Sequence, residues 1–286
     1  MPSCAAPEPP TRSAETLESP RRKRRRWPLR ALIVLAAVVA LLAICVVAFL
    51  VDASHPYPAH QDAAAALAGV ASGDAAAGAG GDASGPVAVR EDDDAIAIGS
   101  PSSEFGLVLY PGAKVDPHAY APLACDLAER GVYCVIAKMP FNYAFFDIDA
   151  AEDLMEDAPD IAHWWVGGHS LGGAMAAQYA ADEPRGIEGV ALLASYAASD
   201  LTRTGLDALV IYGSNDGVLN RDKLAANEAN LPAGAQTLII DGGNHAGFGD
   251  YGPQSGDGQA TIDASEQQAR TADAIANAMR QTSARR

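Results

Sequence analysis

Basic residues are scarce once the first thirty positions are set aside. Of the 20 Lys and Arg, eight lie in residues 1–30 with three of the 36 Asp and Glu, so the head carries +5 and residues 31–286 carry −21. A body that acidic repels phosphate backbones, which excludes nucleic acid as its partner. Cysteine is sparse too, at four residues. Cys4 falls in the basic head and Cys45 in an apolar run. Only Cys125 and Cys134 remain to the body, where buried free thiols are the expectation and one disulfide the alternative. Asp250 and Asp257 share a Gly-rich stretch, but the carboxylates are too few and lack calcium-loop spacing, so neither metal nor cofactor is expected. A mean hydropathy of +0.01 excludes both a mainly disordered chain and a polytopic membrane protein.

One long apolar run stands out against that background. Residues 31–51 are 21 positions without a charge, and a helix of ~20 residues crosses a hydrocarbon core of ~30 Å. Basic residues at 21–26 and 30 precede it and Asp52 follows. The positive-inside rule then makes 1–30 a cytoplasmic segment and puts the body outside the cell membrane. The run has no polar face, against a buried core helix, and exceeds the ~7–15 apolar residues of a signal peptide. An uncleaved single-pass signal anchor is expected, with cleavage near Val51-Asp52-Ala53 as the alternative. Residues 52–85, rich in Ala, Gly, Ser and Asp, bury too little apolar surface to offset ordering. They read as a flexible tether, with a helical turn or two at 62–70 and with His55 and His60 in solvent.

From residue 86 to the end the pattern changes. Short β-like runs at 86–90 and 95–98 flank four acidic residues, as a hairpin would. Strand signals at 106–110, 132–137, 162–166, 189–194, 206–212 and 237–240 alternate with helical spacing at 117–130, 144–155, 171–181, 222–230 and 262–280. Asp116 and Gly131 are placed to cap and end the first of these helices. Such alternation predicts an α/β fold, a mostly parallel twisted sheet with helices on both faces, whose chemistry sits beyond the carboxyl ends of the strands.

After the strand at 162–166 comes Gly168-His169-Ser170-Leu171-Gly172, a G-x-S-x-G sequence between strand and helix. It marks Ser170 as a candidate nucleophile on a sharp turn, with His169 expected to point away from the hydroxyl. A serine needs a base. Of six His, His118 and His163 lie at element starts, and only His245 follows a strand end in a Gly-rich loop. Asp216, in Gly213-Ser214-Asn215-Asp216-Gly217, is the candidate acid. Taken alone it reads as a turn residue; in the order Ser, Asp, His it reads as catalytic. The Leu171 N–H and, from the loop after 106–110, the Ala113 N–H are the candidate oxyanion donors.

These motifs resemble the α/β-hydrolase family over residues 86–280. More narrowly, Tyr110-Pro111-Gly112-Ala113-Lys114-Val115-Asp116-Pro117, Lys138-Met139-Pro140-Phe141-Asn142, Gly167 to Gly173 and Gly242 to Gly252 are similar to a compact, often membrane-anchored bacterial subfamily of unassigned substrate. The resemblance implies an α/β-hydrolase fold and hydrolase activity through Ser170, Asp216 and His245. Pro111-Gly112 stands where many members carry His-Gly, so the second oxyanion donor is less firmly set. Only eleven residues, 195–205, separate the two strands between which many members insert a lid. An open site is expected, against a lipase. Met139, Pro140, Phe141, Asn142, Phe145 and Phe146, with Phe248 and Tyr251 beside the base, are expected to wall the pocket, ordinary packing being their alternative role. The expected activity is hydrolysis of an ester-like acyl bond in a small acyl substrate. A peptidase, thioesterase, lactone hydrolase or silent binding module on the same fold are the rivals.

Overall fold

The computed structural model describes residues 29–72, 87–182 and 186–286. The basic head up to residue 28 and the tether residues 73–86 lie outside the described residues. The chain divides near residue 50 into two compact units, the second being Leu50–Arg286. Helix α1, Leu29–Ala53, contains the expected apolar run and is long and apolar enough to cross a membrane.

The second unit holds one eight-stranded sheet. Its strands are β1 (Ala88–Glu91), β2 (Ala95–Gly99), β3 (Phe105–Tyr110), β4 (Val132–Ala137), β5 (His163–His169), β6 (Ile187–Leu193), β7 (Asp207–Gly213) and β8 (Gln236–Ile240), in the order β1-β2-β4-β3-β5-β6-β7-β8. The first hairpin is antiparallel, as is β2 to β4; every pairing from β4 to β8 is parallel. Side chains alternate across each strand. Leu107 and Leu109 enter one core with Leu123, Leu127, Ile275 and Met279; Val108 and Tyr110 enter the other with Leu154, Ala176 and Tyr179. Helices α3 (Ala121–Glu129) and α7 (Ala264–Ser283) thus cover one face. Helices α4 (Ala150–Glu156) and α5 (Leu171–Asp182) cover the other. The strand order reverses between β3 and β5, which opens a crevice at their carboxyl ends.

Besides the helix expected over 222–230, which is α6 (Arg221–Ala226) and a 3₁₀ turn, Glu228–Asn230, three expectations need correction. The helix expected over 117–130 is a 3₁₀ turn, Pro117–Tyr120, followed by α3. Pro122 near the start of α3 has no N–H to continue a ladder from the preceding turn. Asp116 does cap that turn by accepting the His118 N–H, and Gly131 ends the unit at φ +79°. The helix expected over 144–155 is likewise a turn, Ala144–Phe146, and the separate α4. No side chain caps α4; instead the buried Tyr110 hydroxyl accepts the Ala151 N–H (2.9 Å) and donates to the Ile148 carbonyl (2.6 Å).

The third correction concerns the expected tether. Helix α2, Gln61–Ser72, and the chain before it are docked on the body. Ala63 is fully buried, and Tyr57, Ala59 and Leu67 pack against the α3/α7 core. Tyr57 exchanges backbone hydrogen bonds with Lys114 and Asp116, and Asp250 accepts the Ala63 N–H. Composition suggested solvent because the anchors are single residues spaced through alanines, each of which hides little area alone.

Candidate active site

β5 ends at His169 and α5 begins at Leu171, so Ser170 alone turns the chain, at φ 54°. A serine in that left-handed region stores roughly 1–3 kcal/mol of strain. It is held by its N–H to the Leu193 carbonyl (2.9 Å) and by Ser195 Oγ donating to its carbonyl (2.7 Å). Close backbone approach demands the flanking glycines. A Cβ on Gly168 would lie 2.5 Å from the Gly172 carbonyl carbon, and one on Gly172 would overlap the carbonyl oxygens of Tyr110 and Pro111. That contact lays the loop after β3, which carries Ala113, across the start of α5, which carries Leu171. The Ala113 N–H donates to no acceptor among the described residues. Leu171 sits at the positive end of the α5 dipole.

The acid and base come from the loops after β7 and β8. A Cβ on Gly213 would overlap the Gly243 carbonyl, so these loops pack backbone to backbone. His245 Nδ1 donates to Asp216 Oδ2 at 3.0 Å, with both side chains out of solvent. Asp216 Oδ1 accepts the N–H groups of Val218 and Leu219 at 2.9 and 2.8 Å. Burial alone would raise the Asp216 pKa. The His245 hydrogen bond and charge, with those two N–H donors, outweigh it and hold the carboxyl below its ordinary value.

With Nδ1 donating, His245 presents a lone pair at Nε2, which is buried and has no hydrogen-bond partner. The structure therefore joins Asp216 to His245 and packs the His245 ring against His169, the residue before Ser170, but forms no bond from Ser170 Oγ to Nε2. Catalytic hydrogen bonds often tighten only when substrate is bound. Neither helix nor strand interrupts 194–206, the stretch between β6 and β7.

Three of the expected pocket residues are corrected. Met139, Phe248 and Tyr251 are core residues, 6%, 0% and 2% exposed. Phe248 lies in a 3₁₀ turn packed toward α7, with its ring 5.8 Å from His169. Asn142 is half-buried and Phe141 is exposed at the rim.

Three residues gain roles the sequence did not suggest. His169 lies on the α3/α7 side, as Trp165 two pairs earlier does, and its ring packs 4.6 Å from that of His245. Tyr120 Oη donates to His169 Nδ1 at 2.8 Å and accepts the Gly112 N–H at 2.9 Å, linking the base's neighbour to the oxyanion loop. Asp257, considered only as a calcium ligand, accepts the N–H groups of Gly217, His245 and Ala246 and so joins the acid loop to the base loop. The period-two alternation of β5 was a usable signal for His169; nothing local in the sequence marked Asp257.

Among the described residues no group of three or more His, Cys, Asp or Glu is placed to hold a metal ion. Cys125 and Cys134 are free thiols, and burial pushes Cys125 up to about 11.

The profile of the alpha/beta hydrolase family matches residues 106–269, more than half of the chain. A search of curated proteins finds no match. Among solved structures, a predicted CIB-like hydrolase from Thermoplasma acidophilum aligns with a TM-score of 0.52 at 16% identity, over 67% of this chain and 99% of its own. An esterase from Mycobacterium tuberculosis aligns with a TM-score of 0.52 at 13% identity, over 74% and 97%. The esterase domain of a Rhodothermus marinus protein aligns at 0.50 and 14% identity, over 68% and 97%. At these identities the likeness is one of fold.

Proposed function

We propose, from the premise that this chain belongs to the alpha/beta hydrolase family, that it is a membrane-anchored, extracytoplasmic serine hydrolase cleaving an ester-like acyl bond. Ser170 Oγ attacks the acyl carbon while His245 Nε2 takes its proton. Asp216 holds the imidazole in the required tautomer and stabilises the imidazolium. The oxyanion is received by the N–H groups of Leu171 and Ala113, each worth ~3 kcal/mol in such a site. The intermediate collapses to an acyl-enzyme as His245 returns the proton to the leaving alcohol; water, activated by the same nitrogen, then releases the acid.

One observation carries the reading: a buried Asp216–His245 pair whose outer nitrogen has no partner and whose imidazole packs against His169, the residue before a serine in left-handed backbone at a strand-to-helix turn. The anchor reading rests on the uncharged run 31–51 and on the basic residues before it. A silent scaffold is the second reading, favoured by the missing Ser170–His245 bond. A fluorophosphonate probe separates the two. Labelling of the wild type and none of Ser170→Ala is expected; folded wild-type protein that takes no label ends the hydrolase proposal.

A further inference from the structure

Exposed aromatic rings are unusual on this body. Outside α1, the exposed large hydrophobic side chains among the described residues are Phe141, Phe145, Phe146 and Ile239. The three phenylalanines, 54%, 43% and 47% exposed, form one patch. Phe141 meets Phe146 at 5.5 Å between ring centroids, Phe146 meets Phe145 at 4.4 Å, and Phe145 meets Tyr143 at 5.2 Å. The chain bends sharply to present them: Phe141 and Asn142 both lie in left-handed backbone, at φ 55° and 58°. The turn is held from below by Asn142 N–H to the Met139 carbonyl (2.9 Å) and from the oxyanion loop by Lys114 N–H to the Asn142 carbonyl (2.8 Å). Backbone strain held in place by a fixed support marks a functional loop more often than an idle one.

A second observation says what such a loop would touch. Asp52 is the first residue after the uncharged run 31–51. Within the body unit, Asp52 Oδ2 accepts from Tyr143 Oη at 3.1 Å, and Oδ1 accepts from Lys114 Nζ at 2.6 Å. The residue that follows the apolar run is therefore hydrogen-bonded to one residue in the midst of the aromatic patch and to another in the oxyanion loop. Where that run ends, the hydrocarbon of a membrane ends. Tyrosine is one of the residues that settle at that depth, and phenylalanine is among those that surface-lying segments bury in the headgroup–acyl boundary. The acidic body gives anionic headgroups no attraction, so the contact would be apolar.

We propose that Phe141, Phe145 and Phe146 form a membrane-contacting rim, seated in the headgroup–acyl boundary of the bilayer that anchors the protein, and that the site receives acyl substrates dissolved in that bilayer. This rests on the anchored-hydrolase reading and deepens it by naming the substrate class. It also accounts for an apolar rim at a site where 194–206 form neither helix nor strand: the bilayer covers what a lid would otherwise shield.

Two measurements on the full chain in phosphatidylcholine vesicles test it. In the first, Phe145→Trp is compared with wild type for quenching by brominated phosphatidylcholine. The added indole should be quenched by at least a third; emission added at position 145 that brominated lipid leaves unquenched overturns the contact, whatever the activity. In the second, Phe145→Ser/Phe146→Ser is assayed on a long-chain p-nitrophenyl ester dissolved in the vesicles and on p-nitrophenyl acetate in water. A loss of about tenfold on the first with the second unchanged is expected; equal rates on both overturn the delivery role. Wild-type protein that takes no fluorophosphonate label fails the hydrolase reading separately, and the quenching result still decides the membrane contact.

Discussion

The two halves of the proposed site are built by opposite means. The acid–base half is sealed. Asp216 and His245 are out of solvent, and their loops interlock through Gly213, Gly243 and the N–H groups gathered by Asp257. The nucleophile–oxyanion half is open and strained: Ser170, Lys114, Phe141 and Asn142 are four of the five non-glycine residues with positive φ among those described. Burial holds a carboxylate and an imidazole whose hydrogen bond must not be exchanged for water. Strained backbone instead projects a hydroxyl and N–H groups out to where a substrate arrives.

Deleting chemistry on either side should have the largest effect, and with different signatures. Ser170→Ala should lower kcat/KM on short p-nitrophenyl esters by roughly 10⁴-fold or more. Its melting temperature should be equal to or above that of the wild type, because the strained elbow loses no packing. Asp216→Asn should cost roughly 10³–10⁴-fold in kcat by offering His245 the wrong tautomer, and should lower stability as well, since the charge-assisted bond is buried. A variant at position 170 that loses several kcal/mol, or one at 216 that keeps full activity, would erase the contrast.

The next largest effect falls on the brace. Asp257→Ala leaves the N–H groups of Gly217, His245 and Ala246 without their acceptor. The Gly217 N–H is exposed and water replaces its acceptor, while the His245 and Ala246 N–H groups are part-buried and cost up to ~1–3 kcal/mol each when unsatisfied, so a loss of about 2 kcal/mol in urea unfolding is expected, with kcat reduced about tenfold. Full activity at unchanged stability would mean that the two loops need no tie. On the open side, Gly172→Ala should destabilise by a similar amount, because its methyl meets the Tyr110 and Pro111 carbonyls, which are backbone and cannot swing aside.

The same contrast explains what could be read in advance. Strand-to-helix alternation and the Gly168-His169-Ser170-Leu171-Gly172 pattern are local signals, and they located β5, α5 and the elbow to within three residues. The order of Ser170, Asp216 and His245 followed from strand ends. What escaped depends on contacts distant in sequence: Asp257 reaching back 40 residues to Gly217, and Tyr110 serving as a cap for α4. Ala63 sits flat on the body from a stretch that composition alone marks as tether. Phe248 and Met139 were misplaced for a related reason. An aromatic or thioether beside a loop faces inward or outward according to what packs on it, and here α7 and the core on the α4/α5 side claim them.

The smallest expected effect concerns acid, and it resides in His169. Its ring is fully enclosed between Tyr120, His245, Phe248 and Tyr251. Burial first, and the positive charge of a protonated His245 second, hold its pKa well below the ordinary value; a backbone contact with His245 opposes them only in part. In the unfolded chain the same ring titrates near ~6.5. Below that pH the unfolded state binds a proton that the folded state refuses, so unfolding free energy rises with pH and falls on acidification. This contribution is complete above about pH 6.5 and is lost at up to ~1.4 kcal/mol per pH unit as pH drops toward the depressed folded value. The lowered pKa of Asp216 acts in the same direction but enters only below about pH 4. Between pH 6.5 and 5, urea unfolding of the wild type should therefore lose about 1–2 kcal/mol more than unfolding of His169→Gln. The comparison cancels the relief of charge repulsion that acid brings to the whole acidic body, which both proteins share. Parallel slopes would show that the ring takes up its proton in the folded state, and that the sealed half of the site admits water after all.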